Sequence, residues 1–207
     1  MLQNGIVSWE FPNLFLLYLC IYIAYPVAYL LGGLPSLLKS RLTPWQTAIA
    51  DILCTGAALL VGGVFLGFHY SAAIAINPSL YTVGLFAILG RIFPIYTRSK
   101  DGGNGLFCLA AVACILCPIV FVILLLFYGL ILLATRYLSL STVICSLLFP
   151  LLLNGMLLVL FANPAYTQTT LVAILMGLLI TYTHRQNLSA IMRGEEPKIK
   201  LSRKPKE

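Results

Sequence analysis

Residues 106–134 read LFCLAAVACILCPIVFVILLLFYGLILLA, an apolar run without a charged side chain. As one helix it would be roughly 43 Å long at 1.5 Å per residue, more than the hydrocarbon core of a bilayer requires. Pro118 lies near its middle, where a proline lacks an N–H and clashes with the preceding helical turn. We therefore predict two short spans that meet at Cys117-Pro118.

The composition of the whole chain agrees with a membrane location. Of 207 residues, 60% are hydrophobic and 9% are charged, and the mean hydropathy is +0.98. A soluble domain has roughly 25% charged residues and 45–50% apolar ones. The formal charge of +7 could indicate nucleic acid, but long apolar runs separate the basic residues. The composition excludes a soluble enzyme, a disordered tail and a nucleic-acid module, and it predicts an all-α integral membrane protein.

Five further apolar runs approach the roughly 20 residues that a membrane helix needs. They cover residues 14–34, 47–68, 80–96, 140–161 and 169–183. With the two halves of the broken run, they predict about seven transmembrane helices. Two of the seven are short enough to be re-entrant instead.

The positions of the basic residues predict the orientation of these spans. With seven spans, all 13 Lys and Arg residues fall on one side, which the positive-inside rule makes cytoplasmic. The N-terminus is then outside, and the C-terminus is cytoplasmic. A single span over residues 106–134 would put the basic C-terminus opposite Lys39 and Arg41, so the rule disfavours six spans. We predict a multi-pass protein of the bacterial inner membrane with its functional face in the cytoplasm.

The domain organisation is simple. Residues 1–195 are predicted to form one membrane domain, and residues 196–207 a basic cytoplasmic tail. Each basic residue of such a tail contributes about 1 kcal/mol to binding at an anionic membrane surface. Cys114 and Cys117 form a C-x-x-C without a second pair or a nearby histidine, so we predict no metal site and no cofactor.

The first polar cluster is predicted to bind phosphate. Residues 90–96 read GRIFPIY, and residues 98–105 read RSKDGGNG immediately before an apolar run. Glycine N–H groups beside a helix start, with flanking basic side chains, suit an anion. The candidate ligands are Arg91, Lys100, Gly102, Gly103, Asn104 and Gly105. A flexible cytoplasmic turn decorated by positive-inside residues is the alternative.

Two more polar clusters lie at predicted cytoplasmic ends. Arg136 and Ser139 precede the run at residues 140–161, where an anchoring arginine and a helix cap are the simpler interpretations. His184 and Asn187 follow the last run and are spaced to share one helix face. Asp51 is the one acid inside an apolar run, and we expect it to cap a helix or pair with a basic group.

Taken in order, these segments resemble the bacterial acyl-phosphate:glycerol-3-phosphate acyltransferase family. The resemblance rests on four segments: YLLG at 29–32 with Pro35, GRIFP at 90–94 with GGNG at 102–105, RYLSL at 136–140, and HRQN at 184–187 with GE at 194–195. The family is a group of seven-span membrane enzymes.

The resemblance implies an activity and a set of site residues. The expected reaction transfers an acyl group from acyl phosphate to glycerol 3-phosphate, giving lysophosphatidic acid for phospholipid synthesis. The implied partners are these two substrates and membrane lipids, and no protein partner is indicated. The implied catalytic residues are Ser139, His184 and Asn187. Arg136 joins Arg91, Lys100 and the loop at 102–105 as a phosphate ligand.

The chain also departs from the family pattern. The family's glycine-rich loop between spans one and two is absent from residues 33–47. Asn104 replaces a lysine of the second glycine loop, Arg91 replaces a histidine, and a lysine expected shortly after Asp51 is missing. A non-catalytic paralog that binds acyl phosphate, lipid or an active partner enzyme is therefore the alternative function. A small transporter is weaker, because no internal repeat is present.

Overall fold

The computed structural model describes residues 11–38, 43–67, 78–97, 102–161 and 167–194. These residues form eight α-helices and one short 3-10 turn, at Ile95–Thr97. The helices are α1 Phe11–Leu38, α2 Pro44–Gly67, α3 Pro78–Ile92, α4 Leu106–Leu116, α5 Pro118–Thr135, α6 Leu138–Phe161, α7 Thr167–Thr183 and α8 Arg185–Met192. The all-α prediction is confirmed for the described part of the chain.

The predicted break in the long apolar run is present. Cys117 separates α4 from α5 with φ −145° and ψ 79°, and Pro118 occupies the first turn of α5. Proline is tolerated there because an N–H at a helix start has no intrahelical acceptor. With 11 residues, α4 is about 16 Å long, which is half of a hydrocarbon core. The two halves are therefore unequal, and α4 alone is too short for a full crossing.

Within the part of the chain that the structure describes, four helical segments are long and apolar enough to cross a membrane. They are Pro44–Val64, Pro78–Thr97, Pro118–Thr135 and Leu138–Val159. Three shorter apolar segments accompany them: Ile23–Leu37, Leu106–Leu116 and Gln168–Thr183. The protein is thus built as a multi-pass membrane protein, whereas the count of seven crossings stays a prediction.

The helix α3 lies at the centre of the packing, against α1, α2, α4 and α7. Two glycines allow α1 and α3 to approach closely. A Cβ on Gly32 would collide with the carbonyl of Ala87, and one on Gly90 would collide with the carbonyl of Tyr29. Small residues serve this purpose where membrane helices cross, because backbone approach maximises van der Waals contact.

This crossing also anchors the segment that leaves α3. The hydroxyl of Tyr29 donates to the carbonyl of Phe93, and the hydroxyl of Tyr96 donates to the carbonyl of Leu30 at 3.3 Å. By contrast, α5 lies at the periphery, and among its residues only Val120 and Leu124 are buried. The end of α3 is therefore fixed in place, while α5 offers most of its surface to lipid.

Candidate active site

The glycine loop, residues 102–105, folds back against the end of α3. The N–H of Gly103 donates to the carbonyl of Arg91 at 2.9 Å. A Cβ on Gly102 would collide with the carbonyl of Ile92. Gly105 has φ 70°, in the left-handed region that glycine adopts without steric cost. The conformation of the loop therefore requires glycine at position 102, where there is no space for a Cβ, and favours glycine at position 105, where φ is positive.

The helix α4 starts at the end of this loop, with Gly105 as its N-cap. The N–H of Leu109 bonds to the carbonyl of Gly105 at 3.0 Å and closes the first turn. The earlier N–H groups of a helix have no intrahelical acceptor, and the helix dipole gives that end a partial positive charge. The loop and the first turn of α4 together form a backbone environment suited to a phosphate.

Arg91 is buried beneath the loop and paired with an acid. Its Nε lies 2.5 Å from Oδ1 of Asp51, and the two side chains are 5% and 6% exposed. The expectation that Asp51 pairs with a basic group is confirmed, and the partner is now identified. A Cβ on Gly103 would collide with the guanidinium of Arg91. Arg91, expected to bind phosphate, thus contacts Asp51 and the loop backbone.

His184 lies at the junction of α7 and α8, next to the glycine loop. Its imidazole is buried, with Nδ1 3.2 Å from the carbonyl of Ile180 and 3.1 Å from the hydroxyl of Thr183. The carbonyl can only accept, so it favours the tautomer that carries the proton on Nδ1. The hydroxyl of Thr183 donates to the carbonyl of Ile180 at 2.7 Å and also lies 3.4 Å from the carbonyl of Asn104. Thr183 therefore links His184 to the loop.

Ser139 and Asn187 join the start of α6 to α8. The Nδ2 of Asn187 donates to Oγ of Ser139 at 3.0 Å. Ser139 is buried and Asn187 is exposed, so the pair lies at the edge of the polar region. Nearby in the chain, Arg136 ends α5 with φ 61° and an exposed side chain. A left-handed conformation is uncommon for a residue with a side chain, and it lets the chain turn directly into α6.

These contacts bring four segments to one end of the helix bundle: the end of α3, the glycine loop, the start of α6 and the α7–α8 junction. Lys100 lies outside the described residues, as do Lys39, Arg41, Arg98 and the tail at 196–207. The described basic residues are Arg91, Arg136, Arg185 and Arg193, and each lies at this end or in α8. Sequence reasoning did not single out Thr183, although it directly precedes His184 at the end of an apolar run.

An apolar cavity of about 170 Å³ lies beside the glycine loop, between α4, α5 and α6. Leu106 and Phe107, in the first turn of α4, line one end of the cavity. Ala113 and Phe121, on either side of the Cys117 break, line the other end. The cavity follows α4 for about 10 Å. An apolar space that begins at a helix N-terminus suits a ligand with a negatively charged head and a hydrocarbon tail.

The fold and this arrangement define a multi-pass helical membrane protein with a polar site at one end of the bundle. A sequence profile described as "Glycerol-3-phosphate acyltransferase" matches residues 43–194. The chain belongs to this glycerol-3-phosphate acyltransferase family, as the resemblance predicted.

Individual relatives agree with the profile. A glycerol-3-phosphate acyltransferase of Bacillus cytotoxicus is 30% identical over 76% of this chain and 74% of its own length. Glycerol-3-phosphate acyltransferase 2 of Bacillus cereus is 28% identical over 89% of this chain and 98% of its own length.

The fold is also similar to that of a solved protein. A crystal structure of PlsY (YgiH), an integral membrane glycerol 3-phosphate acyltransferase, in its lysophosphatidic acid form, has a TM-score of 0.69 at 22% identity. The match covers 87% of this chain and 95% of the chain in the crystal structure. The glycerol 3-phosphate form of the same protein gives a TM-score of 0.64 at 20% identity.

Proposed function

We propose that this protein is an acyltransferase that transfers an acyl group from acyl phosphate to the 1-hydroxyl of glycerol 3-phosphate, producing lysophosphatidic acid and inorganic phosphate. The observation that carries the proposal is the contact of Thr183 with Asn104, which joins His184 to the glycine loop at the end of an apolar cavity. Relatives named for this activity favour an enzyme over a non-catalytic paralog of the same fold.

The reaction needs no protein nucleophile. The glycerol hydroxyl attacks the carbonyl carbon of the acyl phosphate, and the bond from that carbon to the phosphate oxygen breaks. The hydroxyl proton passes to a phosphate oxygen, and inorganic phosphate leaves. The enzyme's contribution is to align two phosphorylated substrates and to stabilise the negative charge that develops on oxygen, which preorganised N–H and cationic groups do well.

The glycine loop and the basic residues near it would bind the phosphate of the donor. Gly102, Asn104 and Gly105 would present backbone N–H groups and the start of α4 to the donor phosphate, while the Gly103 N–H holds the loop against the carbonyl of Arg91. Lys100 would add charge from the same loop. Since Asp51 engages Arg91, the exposed Arg136 is the better candidate for direct contact with phosphate.

The remaining polar groups would act on the acceptor. His184 would hold a phosphate oxygen or the attacking hydroxyl, with its ring oriented by Ile180 and Thr183. Ser139 and Asn187, joined by their hydrogen bond, would orient glycerol 3-phosphate between α6 and α8. These side chains neutralise or orient substrate, and no metal or cofactor is required by this chemistry.

The acyl chain of the donor would lie in the cavity between α4, α5 and α6. The cavity is lined mainly by apolar side chains, so an acyl chain can pass from the bilayer into it without contact with water. The donor could enter from the bilayer because α5 is peripheral. Membrane lipids thus supply the surroundings in which one substrate dissolves.

The topology follows from the charges. We place the site at the cytoplasmic face of the bacterial inner membrane, with seven crossings or re-entrant segments, the N-terminus outside and the C-terminus inside. The concentration of basic residues at the site end of the bundle supports this orientation. Residues 1–195 would form the membrane domain, and residues 196–207 would lie as a basic tail on the anionic leaflet.

The test is an assay of the purified protein in detergent with palmitoyl phosphate and labelled glycerol 3-phosphate. The expected product is labelled lysophosphatidic acid. A parallel reaction with palmitoyl-CoA tests the donor, and it should give no product. The Bacillus cytotoxicus relative, purified in the same way, serves as the control. If that relative is active while this chain gives no labelled lipid, the proposed function is wrong.

A further inference from the structure

The pair formed by Asp51 and Arg91 is buried inside the bundle rather than exposed to substrate. Each side chain is at most 6% exposed, and the Nε–Oδ1 distance is 2.5 Å. Nε and Nη1 of Arg91 have no well-aligned hydrogen-bond partner among the described residues, so charge holds the pair together. Charged groups within membrane segments are costly, and they persist where they serve a function.

The glycine loop rests directly on this pair. The Gly103 N–H bonds to the Arg91 carbonyl at 2.9 Å, and the Arg91 guanidinium lies where a Cβ of Gly103 would be. Both the backbone and the side chain of Arg91 therefore contact one residue of the loop. Asp51, on α2, determines where the guanidinium lies, so the position of Gly103 depends on a residue of another helix.

We propose that Asp51 and Arg91 form a positioning pair that fixes the position and orientation of the glycine loop through Gly103. The inference rests on the proposed function, in that the loop is the phosphate site. Arg91 acts through the loop instead of binding phosphate itself, and Asp51 acts through Arg91. Misplacing a reacting group by about 1 Å can lower a rate by about 10²-fold. A pair of residues that fixes the position of the loop therefore affects kcat.

A double substitution separates positioning from simple stability. Asp51→Leu or Arg91→Met alone leaves an unpaired buried charge and should lower thermal stability. Asp51→Leu with Arg91→Met replaces the pair by apolar groups, which for buried ion pairs is often neutral or stabilising. We expect the double variant to regain thermal stability and to keep a kcat at least tenfold below that of the wild type. A stable double variant with wild-type kcat would overturn the proposal.

A conservative variant covers the case in which the double variant does not fold. Arg91→Lys keeps the charge opposite Asp51 and removes the flat guanidinium under Gly103. We expect kcat to fall at least tenfold with little change in thermal stability. Gly103→Ala should give the same defect, and combining it with Arg91→Lys should add little, because both disturb one contact. Full activity in Arg91→Lys, or independent effects that multiply, would overturn the proposal.

A readout that needs no activity separates this inference from the proposed function. Amide hydrogen exchange of the peptide spanning residues 102–108 should be faster in Arg91→Lys than in the wild type. The backbone carbonyl at position 91 remains, but without the guanidinium packed against Gly103 the loop should open from that carbonyl more often. Unchanged exchange there would overturn the positioning role even if the enzyme is active. A wild-type protein that makes no lysophosphatidic acid would defeat the proposed function, while faster exchange would still support the pair.

Leu157→Ala is the matched control for lost stability. Leu157 is fully buried in α6, about 28 Å along that helix from its start near the site. Its truncation leaves a cavity and lowers thermal stability without touching the loop. We expect its kcat, KM and exchange at 102–108 to match the wild type at the assay temperature. Changes as large as those of Arg91→Lys would overturn the proposal, because they would show that any loss of stability produces this phenotype.

Discussion

The amide of Asn187 on α8 donates a hydrogen bond to the hydroxyl of Ser139 at the start of α6, across 3.0 Å. The contact joins α8, which is not one of the apolar segments, to the start of α6 at the site end of the bundle. It also brings together two polar groups that are far apart in the chain. This side-chain hydrogen bond therefore ties α8 to α6, and it can be removed from either end.

The first prediction concerns this hydrogen bond. Ser139→Ala and Asn187→Ala should each lower kcat/KM for glycerol 3-phosphate. Because the two groups act together, the double variant should be less impaired than the product of the single effects. A coupling of about 0.5–1.5 kcal/mol is typical for such a hydrogen bond, and it corresponds to roughly 2- to 10-fold in kcat/KM. Effects that simply multiply would show that the two residues act independently.

The second prediction concerns Arg136. Arg136→Gly should be more stable than Arg136→Ala by about 1 kcal/mol, because glycine adopts φ 61° without steric cost and alanine does not. Both variants should lose at least tenfold in kcat/KM, since charge-assisted contacts contribute about 1.5–3 kcal/mol each. Thermal unfolding in detergent and the acyl-transfer assay measure the two effects. An active Arg136→Gly would place the phosphate-binding charge elsewhere.

The third prediction concerns His184. His184→Ala should abolish most of the acyl transfer, whereas the exposed Arg185, next in the chain and stacked on Tyr182, should tolerate alanine. The reason is orientation: the ring of His184 is held by Ile180 and Thr183 at the glycine loop. Thr183→Val removes the hydroxyl contact to the ring, and its loss of kcat should be smaller than that of His184→Ala. Equal rates in His184→Ala and the wild type would exclude this imidazole from the reaction.

The fourth prediction tests the cavity as the acyl-chain site. Ala110→Trp or Ala113→Phe would fill the space between α4, α5 and α6. The KM for palmitoyl phosphate should rise, because the added ring occupies the space that the acyl chain would fill. Donors with chains too short to reach the filled part should be affected less. Leu130→Phe, on the exposed face of α5, is the control. A similar loss for all chain lengths would contradict this location.

The fifth prediction concerns the α1–α3 crossing that carries the site. Gly90→Ala should destabilise the protein by about 1–3 kcal/mol, because its Cβ meets the rigid carbonyl of Tyr29. Gly129→Ala should be neutral or stabilising by up to about 1 kcal/mol, since nothing lies within 4 Å and alanine favours a helix. Thermal unfolding measures both. Equal effects of the two changes would mean that the helices are not in close contact at Gly90.

Local rules predicted much of the architecture. Pro118 determines the break between α4 and α5, because its ring and its missing N–H act wherever the chain folds. The spacing of His184 and Asn187 likewise predicted a helix at the end of the last apolar run, and α8 is present. The bounds of α4 also agree with the prediction, because the first half of the broken run was placed between residue 106 and the Cys117-Pro118 break, and α4 covers Leu106–Leu116.

Contacts between distant helices were the harder part. The sequence required a partner for Asp51, but only the packing of α2 against α3 identifies it as Arg91. The same contact places Arg91 beneath the loop, and its direct contact with phosphate stays a prediction. The apolar cavity was also unpredictable, since its lining comes from three helices whose apolar faces look alike in sequence. Hydrophobicity predicts which segments lie in the membrane, whereas the shape of a cavity depends on how the helices pack.

The central claim is that this chain couples acyl phosphate to glycerol 3-phosphate at the glycine loop. The most direct measurement follows inorganic phosphate and lysophosphatidic acid in one reaction of the purified protein with palmitoyl phosphate. The account predicts that phosphate release depends on glycerol 3-phosphate, equals the lipid formed mole for mole, and is lost in His184→Ala. Phosphate release that is independent of glycerol 3-phosphate, or no lipid above that of His184→Ala, would contradict it.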